Sequence, residues 1–234
     1  MESSAIFGDQ PISSSIRKQV TDRIREAIVE MRLRPGDRLI ERELVDWSGV
    51  SRATVREAIR ELEALRLVEI SPRRGAVVAS PTVKEATELY EIRAQLEGIV
   101  GRQCAEHATD AQIAQLRTAF EEMRAAADKG ETQEALRAKN RIYDALYDGS
   151  DNGTIRDILG GLQARITYLR SISTSQPGRL PQMVDEVRRI VEAIEERDGD
   201  KAEATIIAHV RSAGAVAIRV IKEDPTLQDP EAER

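Results

Sequence analysis

The chain has one cysteine and two histidines among 234 residues. That excludes an intramolecular disulfide, a multi-cysteine metal cluster and, within one chain, a three-histidine metal centre. Aromatic residues make up 3% of the chain and charged residues 32%, a balance typical of helix-rich proteins. No apolar run approaches the length of a membrane span. The first ten residues, MESSAIFGDQ, are polar and acidic rather than a basic stretch leading into an apolar one, so no signal peptide is expected. The expectation is a cytoplasmic protein with no membrane partner. No phosphate-cradling glycine loop, nucleophile–base pair or multi-carboxylate motif stands out, so nothing supports an enzyme and no cofactor is implied. Cys104, on the inner side of a long helix, reads as a buried structural thiol rather than a nucleophile.

The length allows two modest domains, each with its own core. The formal net charge of −6 argues against nucleic acid if taken whole. It divides unevenly, however. Residues 1–80 hold 14 Lys+Arg and 13 Asp+Glu, or +1, which leaves 21 and 28, or −7, for residues 81–234. The acidity belongs to the second part, where it repels DNA. A near-neutral first part must bind DNA through a few placed arginines and through dimerisation.

What is present is concentrated in residues 36–80, GDRLIERELVDWSGVSRATVREAIRELEALRLVEISPRRGAVVAS. A helix from Ser15 to Arg32, with Ile16, Val20, Ile24 and Ile28 at four-residue spacing, precedes it and is stopped by Pro35-Gly36. The stretch then reads as a short strand, two helices joined by a tight turn, and a hairpin. That order describes a winged helix-turn-helix, whose second helix enters the DNA major groove. Leu44, Val45 and Trp47 give the first helix an apolar side, and Ser48-Gly49-Val50 makes the turn. Ser51 is a natural N-cap, with Val50 and Val55 as a hydrophobic staple. Val55, Ile59 and Leu62 form the buried stripe. Arg52 and Arg56 lie one turn apart on another face, at the end that meets base edges. A solvated helix with Glu57, Glu61 and Glu63 paired to Arg56 and Arg60 is the plain alternative; the whole constellation favours DNA. In the wing, Leu67 to Ile70 pairs with Ala76 to Ala79 across Pro72-Arg73-Arg74-Gly75. Gly75 permits a tight turn, and Arg73 and Arg74 can reach phosphate or the minor groove.

SRATVREAIRELEALRLVEISPRRGAVV, with VTDRIREAIVEMRLRPGDRLIERELV before it, resembles the DNA-binding domain of GntR-type bacterial transcription regulators. Ala53-Thr54 departs from the Thr-Pro pair common there. Proline would sit in the first helical turn, where its missing N–H costs nothing, so the fold should not suffer; the lost Ala53 hydroxyl makes the operator sequence less transferable. The resemblance implies that Arg42, Arg52, Arg56 and the wing glycine meet DNA. The DNA-contacting set is then Arg42, Ser51, Arg52, Thr54, Arg56, Arg73, Arg74 and Gly75, with Arg60 further along the helix and less important.

After Ser80-Pro81 the sequence reads as helix only, over residues 83–107, 110–128, 132–148, 154–173, 180–197 and 201–223. Capping pairs stand at Thr82/Glu85, Thr109/Gln112 and Asp200/Glu203. The fold expected is mostly α: a winged helix-turn-helix (14–80), then an all-α antiparallel helical bundle (81–224) for effector binding and dimerisation, with tails at 1–13 and 225–234. LYEIRAQLEGIVGRQCAEHAT and VRRIVEAIEERDGDKAEATIIAHV resemble the FCD ligand-binding domain of the FadR subfamily.

Polar residues on apolar helix stripes need partners, because an unpaired buried polar group is costly. Arg93 lies among Leu89, Ile92, Leu96 and Val100. Asn140 and Asp144 lie among Leu136, Tyr143 and Tyr147. Arg165 shares a face with Ile158, Leu162 and Leu169, and His209 one with Ile206, Val210 and Ala213. Taken singly, each could serve a register-fixing salt bridge such as Arg93–Asp144; together they suggest a pocket between helices. Many FCD domains hold a divalent metal with one Asp and three His. The matching positions are Asn140, Asp144, Val187 and His209, so the resemblance implies no such site, and at most a weak one at Asp144 and His209. Arg93, Asn140, Asp144, Arg165 and His209 would instead bind an anionic effector, the arginines through charge-assisted hydrogen bonds. The function implied is a ligand-responsive repressor binding a short palindromic DNA operator as a homodimer, released or re-oriented by a small organic acid. A ligand-independent DNA-binding protein and an enzyme with an appended DNA-binding head are the alternatives.

Overall fold

The computed structural model describes residues 13–30, 32–71, 74–174 and 176–224. Arg73 and both expected tails, apart from Ser13, therefore lie outside the described residues. The chain divides into two compact units, the second being Thr82–Glu223.

In the first unit, α1 (Ser13–Val29) buries Val20, Ile24 and Ile28, but Ile16 is 45% exposed, so the stripe starts one turn later than its spacing suggests. The helix also ends before the expected Arg32: the amides of Arg32 and Leu33 both fold back onto the Ala27 carbonyl, at 2.9 and 3.0 Å. α2 (Glu41–Ser48) closes on Gly49, whose φ of 68° only glycine adopts without strain and whose N–H donates to the Val45 carbonyl. With eight residues and none buried, α2 does not cover Trp47, which stands 58% exposed rather than on a packed side. α3 (Arg52–Ala64) starts on the Ser51 cap, whose hydroxyl accepts from the Thr54 amide at 3.2 Å, and packs Val55, Ala58, Ile59 and Leu62 inward. β1 (Val68–Ser71) and β2 (Gly75–Val78) form the antiparallel hairpin, in register Val68↔Val78 to Ser71↔Gly75. The expected short strand before α2 is reduced to one bridge, Arg38↔Val77, flanked by the Leu39 amide on the Ala76 carbonyl at 2.9 Å.

The second unit consists, among the described residues, of α4 (Val83–His107), α5 (Asp110–Asp128), α6 (Thr132–Ser150), α7 (Gly153–Thr174), α8 (Arg179–Glu195) and α9 (Gly199–Glu223). Reciprocal capping boxes open α4 at Thr82/Glu85 and α5 at Thr109/Gln112. At α9 the helix begins two residues earlier than expected: Asp198, not Asp200, accepts from the amide three residues on, Lys201, at 2.9 Å. α9 is long and apolar enough, by length and composition alone, to cross a membrane, against the reading that no run approaches that length. It packs instead against α4, α7 and α8 as a core helix. Gly98 and Gly101 on α4 face Ile207 and Ile206, and Gly214 on α9 faces Tyr90, so these two backbones approach closely. Cys104 is buried in this unit, and its thiol is pushed up to about 11 by desolvation, as befits an inert structural group.

Candidate functional site

In the first unit, α3 and the wing share a cleft of about 490 Å³. Arg38, Arg56, Arg60, Arg74, Gly75 and the carboxylate of Glu41 line it. Glu41 accepts from Arg56 Nε with both oxygens at 3.0 Å, and this bond raises the guanidinium's pKa. Arg38 donates to the Arg74 carbonyl at 3.1 Å, tying the strand before α2 to the wing. Gly75 adopts φ 74°, the left-handed conformation that the turn requires. Arg52 is exposed at the first turn of α3 and Arg42 on α2, while Ser51 and Thr54 hydroxyls meet at 2.9 Å within the cap. Arg60, paired with Glu57 at 2.9 Å, shares the cleft with Arg56 because the two lie one turn apart on α3. Arg38 and Glu41 were not singled out by sequence. A cleft with four arginines and one acid suits a polyanion, and φ-restricted Gly75 leaves no side chain in its way.

In the second unit, five helices turn polar groups inward. Arg93 and Glu97 of α4 pair at 2.9 Å with both side chains under 5% exposed. Burial alone would disfavour both charges. Each partner's opposite charge outweighs it, raising the arginine and lowering the carboxylate. On α6, Lys139 is 2% exposed and its Nζ reaches Met183 Sδ at 3.3 Å. Burial and the charges of Arg170, Arg93 and Arg179 push its pKa well below the usual lysine range. Arg170 of α7 donates to Asn140 Oδ1 at 2.9 Å and lies 5.0 Å from the Tyr143 ring. On α8, Arg179 donates to Glu186 Oε2 at 2.8 Å. Glu186 also takes His209 Nδ1 and the Ser212 hydroxyl of α9, each at 2.6 Å. These bonds offset the desolvation of Glu186 and hold it at about 2. Desolvation and the nearby Lys139 bring His209 down to about 4, so the neutral imidazole donates Nδ1–H to the carboxylate. Around these pairs, six buried atoms have no hydrogen-bond partner: Tyr90 Oη, Glu97 Oε2, Arg170 Nε, Ser173 Oγ, and Nε and Nη1 of Arg179.

Of the expected effector-binding residues, Arg93 and His209 are buried in this chamber of packed polar side chains. Asn140 and Asp144 are exposed, lining an outer cavity of about 250 Å³ with Tyr143 and Arg170. Arg93 pairs with Glu97, one turn along its own helix, and not with Asp144. Arg165 is half-exposed, on the α7 side that carries the 47% exposed Ile158; Arg170, following the buried Ile166, is the inward cation of that helix. Ile92, placed on the inner stripe of α4 by spacing, is 50% exposed. Glu97, Lys139, Arg170, Arg179 and Glu186 were missed. The signal was there for Glu97, four residues after Arg93, and for Glu186, next to the buried Val187. A metal of the kind many FCD domains hold does not fit: Val187 donates nothing, Asp144 is exposed, and His209 is committed to Glu186. Among the described residues, no three His, Cys, Asp or Glu side chains cluster as a metal would need.

Comparison with known proteins gives two family matches: bacterial regulatory proteins of the gntR family over residues 16–78, and the FCD domain over residues 88–212. The probable D-xylose utilization operon transcriptional repressor of Paenarthrobacter nicotinovorans is 31% identical, over 84% of this chain and 86% of its own. The galactonate operon transcriptional repressor of Escherichia coli is 29% identical, over 82% of this chain and 94% of its own. Among solved structures, E. coli McbR/YncC superimposes with a TM-score of 0.73 at 20% identity, covering 87% of this chain and 97% of that one, which speaks for the fold alone.

Proposed function

The chain belongs to the GntR family of bacterial transcription regulators, with a C-terminal FCD domain, and from that premise we propose that it is a ligand-responsive repressor acting in the cytoplasm. Residues 14–80 read DNA, and residues 81–224 bind an anionic effector and dimerise. Arg52 and Arg56 make the main base contacts, assisted by Arg42 and by the wing with Arg73, Arg74 and Gly75. Ser51 and Thr54 set the start of α3. A single recognition helix offers too few base contacts for genomic specificity, so the protein binds as a homodimer on a palindromic site. Ile92 and Ile99, exposed on α4 and seven residues apart, offer an apolar strip for that pairing.

The observation that carries the ligand response is the chamber with its unpartnered buried donors, Arg170 Nε and Arg179 Nε and Nη1. Such atoms are costly unless a guest satisfies them. One of the two relatives is named for the operon of a sugar acid, galactonate, which agrees with a small organic acid as the signal, and the other for that of a neutral sugar, D-xylose. The test combines sedimentation with operator binding followed by fluorescence anisotropy. A dimer at micromolar concentration and operator affinity that changes when an organic acid is added are expected. A monomer with and without DNA, or an affinity indifferent to every acid tried, would remove the reading.

A further inference from the structure

Four cations are buried among these helices: Arg93, Lys139, Arg170 and Arg179, at 3, 2, 8 and 2% exposure. Two carboxylates answer them, Glu97 on Arg93 and Glu186 on Arg179. Among the described residues the other two cations make direct contact only with neutral partners, and the charge of Glu97 reaches them from a distance. Lys139 faces the Met183 sulfur, Arg170 the Asn140 amide oxygen, and both stand against one Tyr143 ring, at 5.8 and 5.0 Å. A buried charge without a counter-charge costs several kcal/mol, so a core whose purpose is stability would carry apolar residues there. Sharing one ring brings Lys139 and Arg170 to a single place, and that ring also lines the 250 Å³ cavity beside it.

We propose that the chamber takes an organic acid with two anionic groups, one held by Lys139 and Arg170 at the Tyr143 ring and the other by the unpartnered N–H groups of Arg179. This rests on the reading of the chamber as the effector site and goes beyond it by fixing the charge of the guest. The four buried cations exceed the two carboxylates by two, so a dianion balances the cluster as a whole, whereas a monoanion would leave one charge over. The depressed pKa of Lys139 agrees, since it is pushed down by burial and by the positive Arg170, Arg93 and Arg179, with Glu97 pulling the other way; His209 and Tyr143 are further titratable groups beside it. An arriving anion reverses that balance and keeps the ammonium charged.

The experiment uses the full chain after chelator treatment, with thermal shift and calorimetry at matched ionic strength. Malonate and succinate are the divalent probes; acetate, butyrate and galactonate are the monovalent ones. A divalent probe should bind at least about tenfold tighter than any monovalent one, the worth of one additional charge-assisted hydrogen bond. Lys139→Met, of similar length and apolar, should erase that preference while the ligand-free protein melts no lower than the parent. Arg170→Met supplies an independent second variant with the same expectation. Galactonate binding as tightly as the divalent acids would overturn the dianion assignment yet leave the regulator reading intact. No response to any acid would overturn both. A Lys139→Met protein that melts lower and keeps the preference would make Lys139 structural and end the proposal.

Discussion

Glu41 holds Arg56 by both carboxylate oxygens, which fixes the guanidinium before any DNA arrives. The same acid competes with a base edge, so Arg56 must gain more from DNA than it gives up. Both side chains are substantially exposed, at 58 and 37%, and a pair of that kind is worth little in water. Bidentate contact with a base is worth more, so Arg52→Ala and Arg56→Ala should each weaken operator binding by about 1–3 kcal/mol at one salt concentration. Arg25→Ala is the comparison, since that residue pairs with Asp22 on α1 and lines no part of the cleft. Equal affinities for all three variants would remove the assignment. A second residue-scale effect concerns acid. His209 sits at about 4, against 6.5 for a free imidazole, so between those values the unfolded chain binds a proton that the folded chain refuses. Its contribution is complete above that window and is lost as pH falls through it. Melting temperature should therefore drop between pH 7 and 5, and less steeply in His209→Gln. Identical slopes for variant and parent would count against a neutral buried His209.

At the scale of elements, helix bounds were largely legible and helix faces were not. Caps and breaks have local signatures, so Thr82/Glu85 and Thr109/Gln112 were found from spacing alone, and the miss at Asp200 was only a choice between two aspartates two residues apart. Faces depend on which of two overlapping apolar stripes a neighbour covers. On α7, residues 158, 162, 165 and 169 form one stripe and 155, 159, 166 and 170 another, and packing buries the whole of the second but only Leu169 of the first. Lys139 was invisible for a related reason: an isolated lysine gives no sign of burial until the helices around it are assembled. Close approach of α4 and α9 is also a tertiary fact, written in Gly98, Gly101 and Gly214. A Cβ on Gly214 would come within 2.8 Å of Tyr90 Cγ, the stiff root of that side chain. Alanine is the better helix former by about 1 kcal/mol, yet overpacking of this kind costs about 1–3 kcal/mol. Gly214→Ala should therefore destabilise the protein in urea unfolding, and because Tyr90 lies 5.1 Å from the Arg93 guanidinium it should also perturb the chamber. A gain in stability would mean the two helices can slide apart without loss.

For the whole molecule, the uneven charge found in the sequence takes on a division of labour: a near-neutral part with four arginines on one cleft, and an acidic part whose surplus cations are buried. That internal surplus bears on metal dependence. A closed transition-metal site wants several imidazole or thiolate donors, and among the described residues the interior offers one histidine, already bonded to Glu186, the carboxylate that also accepts from the Ser212 hydroxyl. A divalent ion placed near Lys139, Arg170 and Arg179 would also face repulsion from three cations rather than attraction. The protein should therefore retain no stoichiometric metal after dialysis against a chelator, and its operator affinity and acid response should be the same before and after. Elemental analysis carries the decision. About one metal per chain surviving chelation would mean that Asp144 and His209 rearrange to bind it, and the cations would then have to be reassigned as structural charges that the fold tolerates.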